Sequence, residues 1–360
     1  MLQKIQIEGY KSIKKLELAL KPINILIGAN GVGKTNFVSF FKLVNNIYEQ
    51  RLENYSLKAG VENLLHYGSK ETKEIAGSLI FSQEDASFTQ ENKYTFLLQP
   101  SESKERFFIN LEESQYNDWS PYIAQNIKES GIKDSKKPRE ICLRYYLESY
   151  KIYHFHDTSS NAPLRQVANL DDNHRLKEDG ANLPAFLYYL EQKHPVSFKR
   201  IERTVASVVP FFEKFNLVPD RLDQTRIKLE WIEKNHPDRY FNATHLSDGS
   251  LRFIALSTLL MQPKLPKVII IDEPELGLHP SAINKLAGMI KSVSQQNCQT
   301  IISTQSINLV DHFEPEDIVT VDRFENQSIF HRLKKENLQN WLEDYSLGDL
   351  WQKNVIKGQI

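Results

Sequence analysis

Gly28-Ala29-Asn30-Gly31-Val32-Gly33-Lys34-Thr35 decides the fold of this 360-residue chain. It fits G-x-x-x-x-G-K-[ST] at every fixed position, and average residue usage gives a chance match in such a chain on the order of 1 in 100. Just before it, Ile23-Asn24-Ile25-Leu26-Ile27 is a compact apolar run suited to a strand buried on both faces. Just after it, Phe37, Phe40, Phe41, Val44 and Ile47 recur at helical spacing, which predicts a helix from Thr35 to about Tyr48. Strand, Gly-rich loop and helix is the context this motif requires. The glycines let backbone N–H groups turn inward around phosphate oxygens, and the helix N-terminus adds a favourable dipole. Lys34 supplies a point charge for the β- and γ-phosphates, and the Thr35 hydroxyl is placed to bind Mg²⁺.

Two further stretches carry chemistry. Val268-Ile269-Ile270-Ile271-Asp272-Glu273-Pro274 reads as a buried strand that ends in two carboxylates. Adjacent acids after four aliphatic residues are costly in a core unless a cation is near. Asp272 at the strand end suits Mg²⁺, and Glu273, pointing the other way, suits the orientation of an attacking water. Leu246-Ser247-Asp248-Gly249-Ser250 precedes a helical stretch, Ser250 to Leu260. Alone it is an ordinary N-cap with a Gly hinge. Standing shortly before the paired acids, it reads as a second helix tip for the same anion.

Composition sets the frame. Apolar residues are 40% and charged residues 25%, a globular profile. Lys plus Arg total 45 against 46 for Asp plus Glu, so any nucleic-acid contact rests on a local patch and not on overall charge. Cys142 and Cys298 are too few for a disulfide scaffold and fit small buried residues in a reducing cytoplasm. The opening Met1 to Glu8 alternates like a strand and lacks the apolar core of a signal peptide, and no run is long enough to span a bilayer.

Along the chain, residues 3–9 and 15–20 read as strands, and 77–83 with 93–99 as an antiparallel pair. Residues 101–140 are polar and read as a loop-rich surface arm, with Lys133, Lys136, Lys137 and Arg139 on a solvated face. Residues 150–157 are strand-like. Residues 181–216 are helical, broken at Pro195 and Pro210. Short strands follow at 225–232 and 239–242. From 250 onward, helices alternate with buried strands near 267–271, 300–303 and 318–321, which argues a largely parallel, helix-covered sheet. His154, His156 and Asp157 place two imidazoles on one strand face, but no third and fourth ligand accompanies them, so a structural role is expected. Tyr145, Tyr146, Tyr150 and Tyr153 are expected in the core or at an interface.

The order of Gly28 to Thr35, Leu246 to Ser250, Asp272-Glu273 and Leu276-Gly277-Leu278-His279-Pro280 resembles the ABC-type ATPases. It is closer to their non-transporter branch: SMC, the RecF-like recombination ATPases and the OLD family. The opening Ile7 to Ile13 is similar to the start of those proteins. The ending Tyr345 to Trp351 resembles the tails of small stand-alone ATPases of the group. The resemblance implies an α/β fold: a P-loop ATPase head with a mixed sheet flanked by helices and a large α+β insertion between the P-loop and the signature. It implies a division into 1–92 (head with P-loop), 93–235 (insertion or lid), 236–337 (head with signature, Walker B and switch) and 338–360 (tail).

The same resemblance implies ATP and Mg²⁺, with nucleotide contacts from Lys11, Ser12, Asn30, Gly31, Val32, Gly33, Lys34, Thr35 and Asn36. Ser247 and Gly249 would act in trans in a homodimer that holds two ATP molecules. The metal set would be Thr35, Asp272 and Gln166, and the catalytic set Glu273, Lys34 and Gln305. Many relatives have a His where Gln305 stands; an amide donates a hydrogen bond but carries no proton charge. The functions implied are a cytoplasmic, ATP-gated and DNA-associated enzyme in repair or antiviral defence, or a nucleotide-sensing switch for a separate effector such as a nuclease or toxin. The ATP subunit of a transporter fits least, because 213 residues separate Lys34 from Ser247. A fused nuclease is not expected in the 55 residues after Gln305, nor a long coiled-coil arm.

Overall fold

The computed structural model describes residues 1–85, 88–116 and 122–356. β1 (Leu2–Tyr10) and β2 (Ile13–Ala19) form a hairpin, followed by β3 (Ile23–Ile27) and α1 (Lys34–Tyr48). Three short helices, α2 (Leu52–Ala59), α3 (Val61–Leu64) and α4 (Gly68–Glu71), lead to β4 (Ile75–Asp85), β5 (Phe88–Pro100), β6 (Phe107–Tyr116) and β7 (Tyr122–Ile127). These strands build an antiparallel sheet in the order β2-β1-β4-β5-β6-β7. The polar arm expected at 101–140 therefore contains two more strands of this sheet. β6 alternates buried and less buried residues from Phe107, whereas the outer strand β7 has no fully buried residue and shows no such alternation. The Arg139 and Cys142 side chains lie outside the described residues.

After α5 (Pro138–Glu148) the chain enters the second sheet with β8 (Tyr150–Tyr153). The strand expected over 150–157 stops at Tyr153, so His154 and His156 sit on the loop beyond it. β9 (Ala168–Asn169), α6 (Leu183–Lys193) and α7 (Pro195–Val208) follow, with Pro195 at the start of α7 where its missing N–H costs nothing. The helical stretch expected to reach 216 gives way to β10 (Phe212–Phe215). Next come β11 (Arg226–Ile227), β12 (Glu230–Glu233) and β13 (His236–Asn242). The last third runs α8 (Asp248–Met261), β14 (Val268–Asp272), α9 (Pro280–Ser294), β15 (Gln299–Thr304), α10 (Ile307–Val310), β16 (Ile318–Phe324), β17 (Gln327–Arg332) and α11 (Leu347–Gln352).

The second main sheet has the order β17-β16-β3-β15-β14-β8, parallel except for β17. Its central strands are apolar on both faces because both faces are covered. Leu26, Ile270 and Ile301 point to α1 and the antiparallel sheet, sharing a core with Phe37, Phe40, Phe41, Val44 and Ile47. Their neighbours Ile25, Ile27, Ile269, Ile271 and Ile302 point to α6–α9. Each large side chain so buried contributes ~2 kcal/mol. α1 is thereby clamped between two sheets, which fixes where its N-terminus lies. The division expected at 92/93 falls within β5, and that at 235/236 falls between the paired β12 and β13, so hydrogen-bonded sheets continue across both points.

Candidate functional site

The carboxyl ends of β3, β15, β14 and β8 lie in adjacent order along one edge of the parallel sheet, where ligands of open α/β sheets bind. β3 delivers the P-loop. Gly33 has φ +118°, and a Cβ there would overlap the hydroxyls of Ser328 and Ser12, so only glycine fits. Behind the loop, Ser328 Oγ donates to Val32 O at 2.5 Å and lies 2.7 Å from Ser12 Oγ, whose hydroxyl can donate to it, while Asn36 Nδ2 donates to Ser12 Oγ at 2.8 Å. These bonds tie β17, the β1–β2 turn and α1 into one support. α1 has no side-chain N-cap and no acidic residue in its first turn, which leaves its N–H groups available to an anion.

Lys34 is 4% exposed. Its Nζ donates to Gly28 O at 2.6 Å and Ala29 O at 2.9 Å, which curls the side chain back over the loop. Burial pushes its ammonium below the usual range, while Glu273, Asp272 and Glu275 act in the opposite direction. The loop lysine and the paired acids thus share one electrostatic site, as expected. Thr35 and Asn30 are exposed at its rim.

Asp272 ends β14 and accepts a hydrogen bond from Ser303 Oγ, its register partner on β15. Glu273 turns away in a left-handed backbone conformation at φ +40° and accepts a bond from Gln305 Nε2. Gln305 therefore lies beside the carboxylate expected to act as base. Ser303 was not expected in the site, though the change from Ile301-Ile302 to the small polar pair Ser303-Thr304 at the end of a buried strand is a readable signal. Ser328 carries no such signal, because nothing in its own stretch connects it with the P-loop. Glu275 was also missed: it is buried and accepts from Thr304 Oγ1 at 2.6 Å and Gln305 N at 2.9 Å. Burial raises its carboxyl above the ordinary range.

The signature loop is built separately. Ser247 caps α8 by accepting from Ser250 N at 3.2 Å. Arg165 holds the loop from behind, donating to Ala243 O, to Leu246 O at 3.2 Å and to Asp248 Oδ1 at 2.8 Å. Arg252 ties α8 to Phe155 O at 2.9 Å, His156 O at 3.0 Å and Leu276 O. A Cβ on Gly249 would overlap Gly277 O, so signature and Leu276-to-His279 turn form one surface. Among the described residues, no hydrogen bond or ion pair joins Ser247–Ser250 to the P-loop of the same chain.

Gln166 is exposed and follows Arg165, which places it on the signature side of the molecule. The strand exit next to Asp272 belongs instead to His154, one residue beyond the Ile271–Tyr153 pair. Burial lowers the His154 imidazole and the Lys42 charge adds to this, whereas Asp272 acts against both. Tyr150 and Tyr153 are in the core as expected, and Tyr145 is exposed. Cys298 is buried, and burial pushes its thiol up to about 12. Among the described residues, no group of three or more His, Cys, Asp or Glu is placed to hold a metal. Thr35 and Asp272 offer oxygen donors. That sparse set fits Mg²⁺, which takes one or two protein ligands beside substrate phosphates. Among the described residues, no helix is long and apolar enough to cross a membrane.

Fold and site together define an ABC-type P-loop ATPase of the SMC- and OLD-like group. The chain belongs to the family described as "AAA domain, putative AbiEii toxin, Type IV TA system", whose model matches residues 23–311. Two solved structures share the fold over nearly the whole chain. The Smc head bound to the C-winged helix domain of ScpA has TM-score 0.64 at 17% identity, covering 94% of this chain and 99% of that one. The Smc head from Pyrococcus furiosus with an extended coiled coil, bound to the C-terminal domain of ScpA, has TM-score 0.60 at 14% identity, covering 95% and 98%. Among curated proteins, the Old nuclease of Escherichia phage P2 is 35% identical over 72 residues, 20% of this chain and 12% of that protein. The energy-coupling factor transporter ATP-binding protein EcfA of Methanosphaera stadtmanae is 31% identical over 78 residues, 22% and 27%. The chain thus matches about a quarter or less of the length of these two relatives.

Proposed function

We propose that the chain binds ATP with Mg²⁺ and hydrolyses it as a dimer that closes over two nucleotides, coupling the cycle to DNA-associated work in the cytoplasm, in repair or antiviral defence. The observation that carries the nucleotide reading is the buried Lys34, held on a glycine cradle and in the field of Asp272 and Glu273. In this reading the α1 N–H groups and Lys34 hold the β- and γ-phosphates. Thr35 and Asp272 hold Mg²⁺, and Ser303 orients Asp272. The metal, when bound, neutralises charge developing on the phosphate oxygens. Glu273 accepts the proton of the attacking water while the bond between the γ-phosphorus and the bridging oxygen breaks, giving ADP and phosphate. Gln305 positions Glu273 through its amide. Gln166 is left out of the metal set because its neighbours face the signature loop.

The dimer reading is supported by the exposed, pre-shaped signature surface. Ser247 and Gly249 of one copy would meet the γ-phosphate held by another. Native mass measurement of Glu273→Gln with ATP tests this: a dimer with two nucleotides is expected, and monomers each holding one ATP would overturn it. A second reading, a nucleotide switch that controls a separate effector protein, is favoured by the net charge of -1, which offers no overall attraction for DNA. Turnover that rises with DNA, with binding that weakens in salt, separates the first reading from the second.

A further inference from the structure

Gln305 reaches the proposed base, Glu273, from an exposed position, and an exposed glutamine by itself samples many rotamers. What holds it lies underneath. Glu275 is 7% exposed, and its Oε1 accepts from Gln305 N at 2.9 Å and from Thr304 Oγ1 at 2.6 Å. The Thr304 hydroxyl, its hydrogen so engaged, accepts in turn from Ser306 N at 3.0 Å. One carboxyl oxygen therefore satisfies, directly and through one hydroxyl, the two backbone N–H groups at which the chain leaves β15 for α10.

The short stretch Glu273-Pro274-Glu275 thus holds Gln305 at both ends. Glu273 takes the side-chain amide and Glu275 takes the backbone N–H. The stretch is itself anchored on two sides. Glu273 N donates to Ser303 O at 2.9 Å, and beyond Glu275 the Leu276 carbonyl is held by Arg252 of α8. Stability alone does not explain a carboxyl at this place. Burial raises it above its ordinary range, and among the described residues its Oε2 is buried with no hydrogen-bond partner. A buried polar atom left unpaired is costly, and one kept beside the reacting centre points to a task there.

We propose that Glu275 is a positioning residue for hydrolysis. It fixes the backbone of Gln305, so that the amide stays on Glu273 and Glu273 stays aimed at the attacking water. Glu275 acts through Gln305 and not on the nucleotide, so its loss lowers the rate of the chemical step and leaves affinity alone. The role rests on the hydrolysis reading above and extends that site to a buried residue beneath it.

The test measures single-turnover ATP hydrolysis and ATP affinity by calorimetry on the full chain. Glu275→Met keeps an unbranched side chain without an acceptor, Glu275→Gln keeps the acceptor, and Gln305→Ala removes the amide from an exposed position. Glu275→Met is expected to slow the chemical step by about 10- to 100-fold at parental ATP affinity, because small displacements of a positioned group have effects of that size. Glu275→Gln is expected close to the parent. Glu275→Met added to Gln305→Ala is expected to slow nothing further, since the group it positions is gone. Parental turnover in Glu275→Met, equal slowing in Glu275→Gln, or a double variant slowed by the product of the two single factors would overturn the role. Should Glu275→Met not fold, Thr304→Val, of the same shape without the hydroxyl, reads the same link: slower hydrolysis at parental affinity supports it, and parental turnover overturns it. Failure of the hydrolysis reading is separate: the parent would then turn over no ATP, or Glu273→Gln would turn it over at the parental rate.

Discussion

Two helix tips of this molecule, both proposed to meet the nucleotide, are built in opposite ways. The N-terminus of α1 has no side-chain cap, no acidic first turn and a buried lysine at its start. The N-terminus of α8 is capped by its own Ser247 and carries Asp248, already paired with Arg165. The first is open to an anion and braced by Ser12 and Ser328. The second is self-satisfied and braced by Arg165 and Arg252. On the proposed reading the difference is functional: the tip that would hold the phosphate keeps its backbone N–H groups uncapped, whereas the tip that would close over it from a second copy is stable by itself.

Several substitutions break or sharpen this contrast. Glu273→Gln is expected to slow hydrolysis by roughly 10²- to 10⁴-fold with ATP affinity retained, because both tips survive; single-turnover kinetics read it. Parental turnover would remove Glu273 as the base. Lys34→Ala is expected to weaken ATP about 100-fold or more by calorimetry, since the cradle loses its charge. Parental affinity would mean that α1 is not the phosphate site. Gly33→Ala is expected to destabilise by about 2 kcal/mol or more in chemical denaturation, through overlap with Ser12 and Ser328 in a left-handed backbone. Gly31→Ala, where an added Cβ meets nothing within 4 Å, should cost about 1 kcal/mol from backbone strain alone. Ser247→Ala removes the α8 cap for ~1 kcal/mol, and should weaken ATP-driven pairing while the affinity of one copy for ATP stays unchanged.

The smallest expected effect concerns pH. Burial raises the Glu275 carboxyl in the folded chain. The folded state therefore holds a proton over a range where the unfolded chain has lost it. The associated stability is full below the unfolded carboxyl range and is lost as pH rises through the raised value. Against Glu275→Gln, whose amide can still accept from Thr304 and the Gln305 N–H, the parent should lose stability as pH climbs out of the acid range. A constant difference between the two proteins across that range would remove burial as the cause.

How much of this was legible depended on how local each feature is. The strand, loop and helix around Lys34 were readable because their apolar spacing is set within a few residues. The segment 101–140 was misread for two reasons: the apolar opening of β6, Phe107-Phe108-Ile109, is a strand signal that was passed over, whereas β7 has no fully buried residue and is a strand by virtue of its pairing with β6. The end of β8 was placed too late for a related reason: β14 stops pairing with it at Tyr153, while the alternation of residues runs on. Gln166 was attached to the metal by its place after that strand, yet Arg165 draws the stretch to the signature loop.

By itself the sequence determined the phosphate cradle, the paired acids and the two apolar faces of the central strands, since each follows from backbone freedom, charge and periodicity over short spans. Tertiary structure alone decided that Ser303 braces Asp272 and that Ser328 backs the P-loop. Those contacts join residues tens to hundreds of positions apart: the β14–β15 register sets Ser303 against Asp272, and the meeting of β17 with the β1–β2 turn behind the P-loop brings Ser328 to Val32.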